Sequence, residues 1–247
     1  MREEADVMTP DVARFRADGF LAFEQLADRA TVTELGALYD QFLSGAIDCS
    51  PTDRQLGRVT RQIMVPSRYH PSFVRNQALE NAREISRALL GVDEPEFVFD
   101  MLIYKPPGHP APTAWHQDMS YAYAPFARAG IRVPQSAIVQ FWVALDDVDT
   151  ENGCMHFIPG KHREPLLQHY VAGGEPTDDA RMLAIADPER VLDLNRAVAC
   201  PLRAGGATVH NYGTPHFTPP NRSATRPRRA YIFSFANREW LKVKPSF

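Results

Sequence analysis

The sequence predicts a mainly β structure with helices gathered at its front, an α-flanked barrel or sandwich. Three observations carry that expectation. Apolar residues recur at helical spacing only before Gly91, β-branched and aromatic runs dominate after it, and Pro- and Gly-rich turns separate those runs. No repeat or linker divides the chain, so residues 1–247 are expected to form a single domain. Its 1–92 part is expected to be mostly helical and its 93–247 part to be the β core.

The opening "TPDVARFRADGF" predicts a helix with Thr9 as N-cap and Pro10 at the first helical position, stopped by Gly19. "FLAFEQL" then predicts a short strand. A second helix is expected over Ala30 to Leu43, with Val32, Leu35, Leu38, Tyr39 and Phe42 on one face. A loop surrounds Cys49 to Pro51. A third helix is expected from His70, with Phe73, Leu79, Ile85 and Leu89 inward and Gly91 as terminator. Beyond it, Phe97–Lys105, Ser136–Leu145, "MHFIP", "GGATVHNY" and "RRAYIFSFA" predict strands. The polar, acidic stretch from about 171 to 199 predicts a long insertion, part helical, of the kind that forms lids or mobile loops.

The net charge of −3 gives no support for nucleic acid or an anionic membrane as partner. No stretch resembles a signal peptide or spans a bilayer, and Cys49, Cys154 and Cys200 form no C-x-x-C pair. They are expected to be free thiols in a reducing cytoplasm.

The chemistry is concentrated in two places. In "TAWHQDMSY", His116 and Asp118 are two apart, so on an extended segment both side chains point the same way and can touch one ion. An isolated H-x-D is more often a satisfied loop histidine beside a surface acid. The later run "GGATVHNYGTPHFTPPNRSATRPRR" offers His210 and His216 as a third ligand. Two histidines and one carboxylate leave coordination positions open, which suits ferrous iron binding a cosubstrate and O2. Zinc hydrolases use similar donors, but no H-E-x-x-H is present. A cosubstrate with a distal carboxylate needs a fixed cation, and Arg228 and Arg229 begin the last strand, where only one of the pair can face inward.

Five separated blocks, "KPPG" (105–108), "WHQD" (115–118), "FWVALDD" (141–147), "ENGCMHFIPGKH" (151–162) and "PHFTPPNRS...RPRRA", resemble the phytanoyl-CoA dioxygenase family in its order. The resemblance implies a double-stranded β-helix (jelly-roll, cupin-like) core binding Fe(II) and 2-oxoglutarate. It implies His116, Asp118 and His216 as metal ligands, with His210 a core or supporting group. It further implies Arg228 as the cosubstrate's cation with Arg229 outward, Trp142 and Thr218 in the cosubstrate pocket, and Gln62 as a further polar contact. Two departures stand out: Gly205-Gly206 replaces the family's usual Gly-Asp, and Phe217 follows the last ligand, which is expected to narrow the space beside the metal. The intact Asp118 reads against halogenation.

Other features carry structural expectations. Asp146 and Asp147 are expected to cap a turn, and Gly153 and Gly160 to be turn residues. His156, His162 and His169 are expected to be structural or exposed. Tyr121, Tyr123 and Phe126 are candidates for a substrate wall or for ordinary packing. The expected function is an oxygenase acting on a small molecule, with hydroxylation as default outcome and succinate and CO2 released. The alternative is a non-catalytic cupin-like barrel that binds metal or a small ligand.

Overall fold

The computed structural model describes residues 9–122, 134, 136–177 and 181–243. In chain order its elements are α1 (Val12–Asp18), β1 (Phe20–Phe23), α2 (Arg29–Ser44), β2 (Asp53–Leu56), β3 (Thr60–Met64), α3 (Gln77–Leu90), β4 (Glu96–Lys105) and β5 (Thr113–His116). They continue with β6 (Ile138–Ala144), β7 (Met155–Phe157), β8 (His169–Gly173), β9 (Met182–Ile185), α4 (Pro188–Val191), β10 (Val198–Cys200), β11 (Ala207–Asn211), β12 (His216–Thr218), β13 (Arg228–Ala236) and α5 (Arg238–Val243). A seven-stranded sheet, β1-β11-β6-β13-β4-β3-β2, faces a four-stranded sheet, β10-β7-β12-β5, and β8 pairs with β9 apart from both. Every strand pairing is antiparallel.

Period-two alternation on the central strands sorts the layers. On β13, Tyr231, Phe233 and Phe235 join α2 and α3 in one core with Leu35, Phe42, Phe73 and Ile85. Ala230 and Ile232 face the other way, into a core between the sheets with Trp142, Met155 and Phe157. β6 repeats the pattern: Phe141 and Val143 go to the helices, Trp142 and Ala144 to the interior. The whole of β6 is buried, because helices cover one face and the small sheet the other. This is the mainly β, helix-flanked jelly roll that the sequence predicts.

Several boundaries move for local reasons. Asp11, not Thr9, caps α1, its carboxylate accepting the Arg14 N–H at 2.9 Å, so Pro10 lies outside the helix. The third helix begins at Gln77 instead of His70. Asn76 is extended (φ −148°) and caps it, while 66–68 and 71–73 are single 3₁₀ turns. Gly91 closes α3 in the left-handed conformation, φ 67°, as expected. The first 92 residues also supply β1, β2 and β3 to the large sheet. In the 171–199 stretch, β9 completes a hairpin with β8, and the helical part among the described residues is the four-residue α4 with a 3₁₀ turn over Leu194–Arg196. Cys49, Cys154 and Cys200 are all buried and free.

The Gly205-Gly206 departure has a steric cause. Gly205 has φ +93°, and a Cβ there would lie 2.6 Å from the Ala27 carbonyl oxygen. That glycine's own carbonyl accepts the N–H groups of Leu26 and Ala27, which fixes the approach. A Cβ at Gly206 would lie 3.0 Å from the carbonyl oxygens of Arg203 and Glu24, so an acid there crowds two acceptors. Gly205→Ala should therefore lower the unfolding free energy by about 2 kcal/mol or more. Gly45→Ala, with φ +79° and nothing within 4 Å, should cost only about 1 kcal/mol. Urea midpoints for the two variants check this, and equal losses would refute the crowding argument.

Candidate metal and cosubstrate site

Antiparallel pairing of β12 with β5 sets His216 directly opposite His116. Their rings lie 4.1 Å apart between centroids. Asp118 begins the turn after β5, and its Oδ1 is 3.5 Å from His116 Nε2 and 3.6 Å from His216 Nε2. One donor atom from each residue lies within 4.8 Å of the other two, and among the described residues no other group of His, Cys, Asp and Glu side chains meets this geometry.

Hydrogen bonds fix which atoms are available. His116 Nδ1 donates to the Ala114 carbonyl at 2.7 Å, and His216 Nδ1 to the Thr214 carbonyl at 3.0 Å. Because a carbonyl can only accept, each Nδ1 carries a proton, which leaves Nε2 as the nitrogen turned toward an ion. Asp118 divides its oxygens in the same way. Oδ2 accepts from His210 Nε2 at 2.9 Å and Gln140 Nε2 at 2.8 Å, leaving Oδ1 toward the two imidazoles. Burial alone raises the Asp118 pKa, but His216, His116 and His210 together hold it well below the usual carboxylate range. Burial, with His116 adding, keeps His216 well below the usual histidine range and so neutral. The site thus offers two imidazole nitrogens and one carboxylate oxygen, without a thiolate.

The other residues singled out in the sequence line the same cavity, of about 430 Å³: Gln62, Trp142, Thr218 and Arg228. Arg228 is 1% exposed. Its Nε and Nη2 have no hydrogen-bond partner, and its guanidinium carbon lies 5.7 Å from the Trp142 ring centroid. No carboxylate among the described residues pairs with it, and burial pulls its pKa down to about 10. A lone buried guanidinium costs several kcal/mol unless an anion joins it. Strand parity sends Arg229 to the helix side, where it forms ion pairs with Asp146 and Asp40. Gln62 places Nε2 2.8 Å from Met101 Sδ, and its buried Oε1 has no partner.

Two expectations change here. Phe217 does not narrow the metal side. Lying between His216 and Thr218 on β12, it points to the opposite face and stacks on Trp115 at 5.3 Å. Asp147 caps a turn by accepting the Ala204 N–H, but Asp146 is Arg229's partner across the sheet. Tyr121 lines the cavity, while Tyr123 and Phe126 lie outside the described residues.

Sequence reasoning passed over Lys105, Gln140 and the role of His169. Lys105 is buried opposite Arg228 and donates to Thr218 Oγ1 at 2.9 Å. Burial, then the neighbouring Arg228, drives its pKa well below that of an ordinary lysine. The "KPPG" block was the one signal that marked it. His169 Nε2 accepts the N–H of Gln117, between the two ligands of the H-x-D pair, at 3.1 Å.

A jelly roll carrying two imidazoles and one carboxylate beside an open cavity defines the class of non-haem iron oxygenases. The chain belongs to the phytanoyl-CoA dioxygenase (PhyH) family, whose model matches residues 15–230. Members of this family are iron- and 2-oxoglutarate-dependent oxygenases. Phytanoyl-CoA dioxygenase domain-containing protein 1 of Rattus norvegicus is 29% identical over 144 residues, 58% of this chain and 46% of its own length. The Danio rerio protein of the same name is 26% identical over 189 residues, 76% of this chain and 60% of its own. The chain thus spans about half the length of these curated relatives. The crystal structure of EvdO2 from Micromonospora carbonacea var. aurantiaca complexed with 2-oxoglutarate is 32% identical, with a TM-score of 0.75 over 91% of this chain and 89% of that one. The epimerase SnoN, crystallised with Fe3+, alpha ketoglutarate and nogalamycin RO, shares the fold at 24% identity and a TM-score of 0.69, covering 92% of this chain and 82% of its own.

Replacing Gln140 by Leu removes one of the two donors on Asp118 Oδ2 and frees the carboxylate to rotate. Metal affinity should fall about 10- to 100-fold, as for other partners that orient a ligand. Calorimetric titration with Mn(II) checks this; unchanged affinity would mean that His210 alone fixes the carboxylate.

Proposed function

We propose that the protein is an Fe(II)- and 2-oxoglutarate-dependent oxygenase that hydroxylates a small molecule, releasing succinate and CO2. The observation that carries the reading is the buried, unpaired guanidinium of Arg228 in the same cavity as the His116, Asp118 and His216 donors. A mixed N and O donor set suits ferrous iron, and a desolvated guanidinium suits the distal carboxylate of 2-oxoglutarate, so the residues fit both groups. When bound, the metal and cosubstrate supply O2 activation coupled to oxidative decarboxylation, one oxygen atom entering succinate and the other a substrate C–H bond.

The chain's own contribution is positioning. His116 Nε2, Asp118 Oδ1 and His216 Nε2 would hold the ion. Arg228 takes the distal carboxylate, with the Thr218 hydroxyl turned by Lys105, which occupies its oxygen and leaves its proton to donate. Trp142 covers the guanidinium, and Gln62 supplies a further polar edge. Leu56, Met64, Phe99, Met101 and Ile103 give the remaining cavity an apolar wall that excludes water and accepts a hydrocarbon body.

Arg228→Gln should weaken 2-oxoglutarate binding by about 2 kcal/mol or more, on the order of 30-fold, with Mn(II) bound. Arg229→Gln, altered on the helix side, should leave that affinity unchanged. Asp118→Ala should abolish succinate formation from 2-oxoglutarate under air. Succinate from Asp118→Ala, or equal loss of affinity in the two arginine variants, would overturn the reading.

A further inference from the structure

Three polar residues line up across the middle of the large sheet. Ser234 of β13 lies directly opposite Gln140 of β6, and Gln140 lies opposite His210 of β11. All three are buried. Ser234 interrupts an apolar run between Phe233 and Phe235, and Gln140 interrupts another between Val139 and Phe141. His210 meets Asp118 directly, which leaves the serine to be explained.

Donors and acceptors along this row run one way. Ionised Asp118 can only accept, so the Gln140 amide turns Nε2 to its Oδ2 at 2.8 Å and Oε1 away from it. Oε1 can likewise only accept, and takes the Ser234 hydroxyl proton at 3.3 Å. That hydroxyl has one proton, so the Tyr212 hydroxyl, 2.8 Å away, is the donor in their contact. The result is a directed chain from Tyr212 through Ser234 and Gln140 to Asp118. Tyr212 also braces the turn with its backbone, its carbonyl accepting the Met119 N–H at 3.0 Å, one residue past the ligand.

The two ends of a carboxamide are nearly equal in shape, so its neighbours decide which end faces the carboxylate. Without the Ser234 proton, the Gln140 oxygen would be buried with no partner. Rotating the amide to relieve it would set oxygen against the Asp118 carboxylate. Both outcomes are costly, and both loosen the ligand.

We propose that Ser234 and Tyr212 are positioning residues for Asp118 that act through Gln140. They lock the amide with its donor on Oδ2, which keeps Oδ1 turned toward His116 and His216. The inference rests on the oxygenase reading above, since it takes Asp118 as a metal ligand.

The test measures Mn(II) affinity of the full chain by calorimetry. Ser234→Ala should weaken binding about tenfold, and Tyr212→Phe, which removes one oxygen atom and keeps the ring, about threefold. The decisive readout is coupling. In the Gln140→Leu background no amide is left to orient, so neither substitution should weaken Mn(II) by more than about twofold further. A merely structural role for either residue would weaken binding by the same factor in both backgrounds. Unchanged affinity in either single variant, or losses that add in full to that of Gln140→Leu, would overturn the assignment. Wild-type protein that binds no Mn(II) is a separate outcome, which overturns the ligand set, the oxygenase reading and this assignment together.

Discussion

The site depends on one cross-strand register, His216 of β12 opposite His116 of β5. A slip of one residue on β12 would turn Phe217 inward and His216 out, because side chains alternate along a strand. The register is held from both sides. β12 also pairs with β7, which sets His216 opposite Phe157 as well. Below β5, the backbone of Gln117 is tied by His169, and its side chain bridges the Gly213 carbonyl and the Leu167 N–H. The metal donors thus converge because pairing and hydrogen bonds within the protein hold two short strands and the turn after His116. Such preorganisation limits the ordering cost that binding must overcome.

Around those donors the fold tolerates arrangements that do little for its own stability. Arg228 and Lys105 are both buried and adjacent across β13 and β4, with no carboxylate between them. Lys105 finds only neutral oxygens, on Thr218 and Pro219, and His210 Nδ1 is buried without a partner. Uncompensated polar groups in a core are costly, and a sequence selected for stability alone would replace them with apolar side chains. The place of Arg228 in the cavity wall is the physical sign that the cavity suits a charged ligand. The helix side of the same sheet shows the contrast. There Arg229 meets Asp146 and Asp40, so its charge is compensated within the protein.

Much of this was legible in the sequence because period two does so much of the work. The alternation of β13 predicted that only one of Arg228 and Arg229 faces inward, and the spacing of His116 and Asp118 predicted a shared face. The same rule, applied to His216-Phe217-Thr218, would have placed Phe217 on the outer face. The resemblance-based expectation missed that. The hairpin of β2 and β3 was hidden because Asp53–Leu56 is polar and gives no strand signal, although it carries Leu56 to the cavity. Gln140 sits in an unbroken apolar run, where a polar residue gives no hint of its partner. Its role became visible only when β6 and the turn after β5 were set beside each other. The β8–β9 hairpin lay in a stretch read as a polar insertion, because weak local propensity did not announce the pairing.

The central claim is that ferrous iron on His116, Asp118 and His216 binds 2-oxoglutarate with its distal carboxylate on Arg228. Anaerobic titration of Fe(II) and 2-oxoglutarate into the protein, followed by visible absorption, tests it most directly. The expected result is a weak charge-transfer band from the iron–cosubstrate chelate that saturates at one equivalent per chain and is lost at the same concentrations in Arg228→Gln. Folded protein that binds iron but develops no band, or a band unaffected by Arg228→Gln, would contradict it.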